Sequence, residues 1–71
     1  MAVLRIGVLT CSDTRTEEND TSGAALRALS EERGWETAAY AIVPDDAHAI
    51  SAALVRMADE DGCDVVLTTG G

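Results

Sequence analysis

The sequence predicts an α/β fold, a mainly parallel sheet in a three-layer α/β/α arrangement. Two nearly continuous apolar runs, Val3–Thr10 and Val65–Leu67, have the character of strands covered on both faces. Between them lie two helical patterns, each closed by a glycine, and a third strand pattern of weaker alternation ending at Pro44. The order is β-α-β-α-β with no internal repeat, linker or low-complexity segment, for which parallel strands and right-handed crossovers are the default.

Strand one is expected over Val3–Thr10, β-branched and apolar apart from Arg5 and Gly7. The polar stretch Cys11–Asp20 that follows is too long for a tight βα turn, and long loops in compact domains tend to carry function. Asp20, Thr21 or Ser22 can cap the first helix, which runs through Leu26 and Leu29 to Arg33 and stops at Gly34. Its first turn, Ser22-Gly23-Ala24-Ala25, is small enough for close helix-on-sheet packing or for the approach of an anion.

Trp35–Val43 reads as an edge strand because Glu36, Thr37 and Tyr40 interrupt its apolar character. Asp45 and Asp46 precede a second helix whose Ile50, Ala53, Leu54 and Met57 fit the i, i+3, i+4, i+7 template, with Gly62 closing it. Strand three is expected over Cys63–Thr68, leading into a loop of Thr68, Thr69, Gly70 and Gly71.

Strand order 2-1-3 puts the two helices on opposite faces and makes the carboxyl end of strand one a topological switch point, where ligands of open α/β sheets bind. Cys11–Asp20, Pro44-Asp45-Asp46 and Thr68–Gly71 all reach that edge. An aspartate there, such as Asp13, can accept from a heterocyclic N–H, and Arg15 can pair with a phosphate; an Asp13–Arg15 surface pair is the plainer alternative. Asp45 can hold Mg²⁺ through substrate phosphates or serve as a helix cap. His48 fits a neutral surface residue, Cys11 and Cys63 fit small core residues, and Asp59-Glu60-Asp61 fits a solvated helix end.

Thirteen acidic residues against five basic ones, all arginine, give a net charge of −8, which disfavours nucleic acid and anionic membrane surfaces as partners. Absence of lysine excludes a lysine phosphate grip or Schiff base within this stretch. No run approaches the roughly 18 apolar residues of a membrane span. Two cysteines without metal-ligand spacing and no signal pattern lead to the expectation of a reduced, cytoplasmic setting. A dinucleotide-binding start would need G-x-G-x-x-G where Cys11-Ser12-Asp13-Thr14-Arg15-Thr16 stands, and a receiver domain would need an aspartate where Thr68-Thr69 stands.

Four landmarks in order, Ser12-Asp13, Asp20-Thr21-Ser22-Gly23, Ile42-Val43-Pro44-Asp45-Asp46 and Val66-Leu67-Thr68-Thr69-Gly70-Gly71, resemble the molybdopterin-binding domain family of molybdenum cofactor biosynthesis, MoaB and MogA. The acidic run Thr16–Gly23 is more similar to the MoaB branch. The resemblance spans essentially the whole chain and implies that residues 1–71 are the N-terminal half of one such domain, truncated at Gly71; with strand three short of sheet neighbours and one helix on each face, this half is expected to be poorly stable alone. The start at Met1, just before strand one, is the expected start of a chain of this family rather than of an internal domain of a MoeA-type or competence-damage protein.

The resemblance further implies trimers or hexamers, molybdopterin as substrate, ATP and Mg²⁺ for adenylylation, and a MoeA-type protein that inserts molybdate afterwards. On it, Thr68, Thr69, Gly70 and Gly71 form the floor of the site and Ser12, Asp13, Ser22 and Gly23 its walls. Asp45 is the first catalytic aspartate and stands on the magnesium side; a second lies in a loop beyond Gly71. A MoaB-type protein that binds molybdopterin without adenylylating it is the alternative.

Overall fold

The computed structural model describes residues 3–70. Strand β1 (Arg5–Cys11) is followed by helix α1 (Thr21–Glu32), strand β2 (Glu36–Val43), helix α2 (Ala47–Asp59) and strand β3 (Val65–Gly70). The sheet is parallel with order β2-β1-β3, so the expected topology and the edge position of β2 are both present.

β1 is central because its apolar residues can be covered from both sides. Leu9 is fully buried in a cluster with Ala53 and Met57 of α2, against which Cys11, Ala39, Ala41, Val43 and Val66 also pack. Residues of opposite parity, Ile6, Val8 and Thr10, are equally buried on the other face, where Thr10 meets the start of α1. A Cβ on Gly7 would lie 2.9 Å from Met57 Sδ and 3.0 Å from Cys63 Sγ, so this glycine lets α2 close onto the sheet.

Helix ends follow the expected chemistry. Asp20 caps α1 by accepting from the Gly23 N–H, and Asp46, not Asp45, caps α2 by accepting from the Ala49 N–H. Gly34 and Gly62 turn the chain with φ of +79° and +66°. His48 and Asp59-Glu60 are exposed, and Glu60 lies 3.7 Å from Arg56.

The amino edge is fastened by Arg5. Its guanidinium donates to Glu36 Oε2 and to the carbonyls of Asp61 and Gly62, while its backbone N–H donates to Asp64 Oδ2. One side chain thus ties β1 to β2 and to the α2–β3 turn. Both partners of the ion pair are about half exposed, so most of the value lies in the carbonyl contacts. Arg5→Ala is expected to destabilise by about 1–2 kcal/mol in urea unfolding, and Arg5→Lys to recover less than half, because an ammonium lacks the planar fork.

The structure corrects one boundary that bears on the site. β3 begins at Val65 rather than Cys63 and continues through Gly70, with Thr68, Thr69 and Gly70 paired to Leu9, Thr10 and Cys11. The expected loop at Thr68–Gly70 is therefore strand; the β-branched threonines extend the ladder as far as β1 offers partners. Gly71 lies outside the described residues.

Candidate active site at the carboxyl edge of the sheet

The carboxyl ends of β1, β2 and β3 place Ser12, Asp45 and Thr69 along one edge. Ser12 continues β1 beyond Cys11, its N–H donating to the Val43 carbonyl at 2.8 Å. The Ser12 side chain is buried, and its Oγ accepts from the N–H groups of Thr14 and Arg15 at 3.3 Å, which folds the long loop back on itself. Asn19 Oδ1 accepts from the Thr16 N–H, and Arg15 donates to the Asn19 carbonyl.

Asp13 is exposed, and its Oδ1 accepts from the Asp45 N–H at 3.1 Å. This bond joins the corner after β1 to the corner after β2, thirty-two residues apart. The alternative Asp13–Arg15 pair is not formed among the described residues. Asp45 is left with an exposed carboxylate that accepts no hydrogen bond among the described residues, since capping falls to Asp46. That carboxylate and burial together raise the Cys11 thiol, burial being the larger cause; Cys63 is raised by burial too, so both cysteines behave as packed thiols.

Strand alternation separates the threonines. Thr69 lies beside Thr10 on the α1 face, whereas Thr68 lies beside Leu9 on the α2 face. Ser22 and Gly23, in the first turn of α1, accordingly share a face with Thr69 and not with Thr68. Gly70 comes within van der Waals contact of Cys11: a Cβ there would sit 3.0 Å from its carbonyl oxygen.

Beneath this edge lies Asp20, which does more than cap α1. Asp20 is 2% exposed. Its Oδ2 accepts from Tyr40 Oη at 2.6 Å and Thr10 Oγ1 at 2.7 Å, and its Oδ1 from the Gly23 N–H at 3.1 Å. Burial alone would raise this carboxyl; the bonds from Tyr40, Thr10 and Gly23, with the Arg15 guanidinium, outweigh it and hold it below the usual carboxylate range. Tyr40 is pushed up to about 12 by burial first and then by its bond to Asp20 and that charge, against the Arg27 guanidinium 4.2 Å over its ring. The signal was available in part: Thr10 and Tyr40 put two hydroxyls on the α1 face of the sheet beside apolar Ile6 and Val8, and buried hydroxyls need an acceptor.

Two predictions arise here. Gly23→Ala would place a Cβ against Asp20 Oδ2 and near Thr10 Oγ1. The displacement costs about 1–3 kcal/mol, exceeding the gain of about 1 kcal/mol in helix propensity, so a lower urea midpoint is expected. The second concerns pH. Because the Asp20 pKa is lowered on folding, its contribution is complete above about pH 4 and is lost as pH falls through the folded value. Because the Tyr40 pKa is raised, its contribution is complete below about pH 10 and is lost as pH rises toward about 12. Thermal melts of wild type and Tyr40→Phe should therefore converge between pH 10 and 12.

Among the described residues no three His, Cys, Asp or Glu side chains could hold a metal ion together. The donor set at Asp45 fits magnesium whose remaining ligands are substrate phosphates and water, the usual mode for that ion. A shallow hollow on the outer face of α2, between Ser51 and Glu60, lies away from this edge. No helix among the described residues is long and apolar enough to cross a membrane.

Comparison with known proteins agrees with this architecture. The chain is 44% identical over 68 residues to molybdenum cofactor biosynthesis protein B of Bacillus cereus, covering 96% of this chain and 40% of that protein. It is 37% identical over 75 residues to the molybdopterin adenylyltransferase of Helicobacter pylori, covering all of this chain and 43% of that one. A crystal structure of molybdenum cofactor biosynthesis protein B superposes with a TM-score of 0.89 at 42% identity, over 94% of this chain and 42% of that chain. The chain thus spans about two fifths of the length of the relatives it matches. Residues 7–71 match the family described as "Probable molybdopterin binding domain", and the chain belongs to that family.

Proposed function

We propose that, in the full-length protein, this carboxyl edge binds molybdopterin and adenylylates it with MgATP before molybdate is inserted. The observation that carries the reading is the Asp13–Asp45 hydrogen bond, which brings two family landmarks together while leaving the Asp45 carboxylate exposed. The name of the Helicobacter pylori relative supports the reaction class.

In this reading Ser12, Asp13 and Ser22 line the site, Gly23 keeps its wall close to the strand, and Thr69 and Gly70 make its floor. Thr68 contributes from the opposite face of β3. An oxygen of the molybdopterin terminal phosphate forms a bond to the α-phosphorus of ATP, and the bond from that phosphorus to the pyrophosphate oxygen breaks. Magnesium neutralises charge on the phosphates when bound, and Asp45 helps to hold it. The protein residues act chiefly by positioning.

Trimers or hexamers fit the apolar residues that α1 and α2 leave exposed, Ala24, Ala25, Ala28, Leu29 and Val55. The product would pass to a molybdate-inserting protein of the MoeA type in the cytoplasm. A second reading, binding of molybdopterin without adenylylation, is favoured by the higher identity to proteins named molybdenum cofactor biosynthesis protein B. Incubating the full-length protein with molybdopterin, ATP and Mg²⁺ and weighing the product by mass spectrometry separates the two. Adenylylated molybdopterin is expected; tight binding without that mass selects the second reading.

A further inference from the structure

We propose that Asp20 is a positioning residue for the molybdopterin site, setting through Thr10 and Tyr40 where the first turn of α1 stands against the carboxyl edge of the sheet. The inference rests on the site reading above and deepens it.

A helix cap needs one accepted bond and works well at the surface, as Asp46 does for α2. Asp20 is different in both burial and connectivity. Its carboxylate is 2% exposed and collects donors from three elements: Thr10 of β1, Tyr40 of β2 and Gly23 of α1. If the task were only to hold α1 against the sheet, apolar packing would do so without desolvating a charge. What the charged hub adds is direction. Short hydrogen bonds at 2.6 and 2.7 Å, one from each of two strands, hold Oδ2 against the sheet, and the bond that Oδ1 accepts from the Gly23 N–H transfers that position to α1.

The hub also stands where a shift would be felt. Thr10 is paired in register with Thr69, so the hub lies on the same face as the proposed floor residue. Ser22, a proposed wall residue, is two positions from Asp20 and precedes Gly23, which Asp20 grips. Loosening either hydroxyl bond frees Ser22 to move relative to Thr69 without touching a proposed ligand contact.

The test uses full-length protein carrying T10V, T10S or Y40F. Molybdopterin Kd is measured by equilibrium dialysis, and adenylylation kinetics are read at saturating substrate, at a temperature where each variant keeps the wild-type circular dichroism spectrum. T10V and Y40F are expected to raise Kd and KM by about 3–10-fold with kcat changed less than twofold, and T10S, which keeps the donor, to bind within about twofold of wild type. Folded T10V and Y40F that bind like wild type would overturn the proposal and leave the site reading intact. T10S as weak as T10V would overturn it in favour of simple packing. If T10V does not fold, Y40F, which leaves the Thr10 bond in place, decides alone. Failure of wild type itself to bind molybdopterin removes the site reading, and this inference with it.

Discussion

Asp45→Ala in the full-length protein is expected to leave molybdopterin affinity within about threefold of wild type and to lower the rate of adenylyl transfer by about 10²-fold or more. That magnitude is the scale for removing one group that stabilises charge developing in a transition state. Binding survives because the contact that orders the corner uses the Asp45 backbone N–H, which alanine retains, and because Asp46 carries the cap. Isothermal calorimetry with molybdopterin and single-turnover product formation check the two halves. Equal loss of both would make Asp45 part of the scaffold. Asp45→Asn separates charge from size: it should fall nearly as far as alanine, since the neutral amide is a poor partner for magnesium.

The largest expected effect on stability belongs to Asp20→Ala. The substitution removes a helix cap, worth about 1 kcal/mol, and deprives two hydroxyls, one of them on a residue only 1% exposed, of their acceptor, each at about 1–3 kcal/mol. A destabilisation of at least about 3 kcal/mol, the lower end of that sum, is expected. For a domain of the relatives' length this lowers Tm by roughly 6–12 °C. Combining Thr10→Val with Tyr40→Phe and Asp20→Ala should recover part of the loss, because the orphaned hydroxyls are gone; a strictly additive triple variant would contradict the hub.

Much of this fold is written locally. The β-branched run of β1, the weaker alternation of β2, the glycines at +79° and +66° and the aspartates ahead of each helix are features a few residues long, and each produced the element expected of it. Strand order was legible as well, since Glu36, Thr37 and Tyr40 mark β2 as an edge strand and right-handed parallel crossovers then leave β1 central. What escaped depended on partners distant in sequence. β3 runs on into Thr68-Thr69-Gly70 because β1 still has Leu9, Thr10 and Cys11 to pair with, and that extension sends adjacent threonines to opposite faces. Asp20 looks like one more acid in a polar loop; its burial follows from Thr10 and Tyr40, ten and twenty residues away. The division of labour between Asp45 and Asp46 also needed the fold, as the bond from the Ala49 N–H to Asp46 shows which aspartate has its carboxylate left over.

The most direct test of the site is a crystal structure of the full-length protein with molybdopterin bound. The ligand is expected at the carboxyl ends of β1 and β3, with polar atoms within hydrogen-bond distance of Ser12, Asp13 or Ser22 and of Thr69, and with its phosphate on the side of Asp45. Molybdopterin seated instead in the hollow on the outer face of α2, against Val55 and Arg56, or touching none of these edge residues, would contradict the assignment.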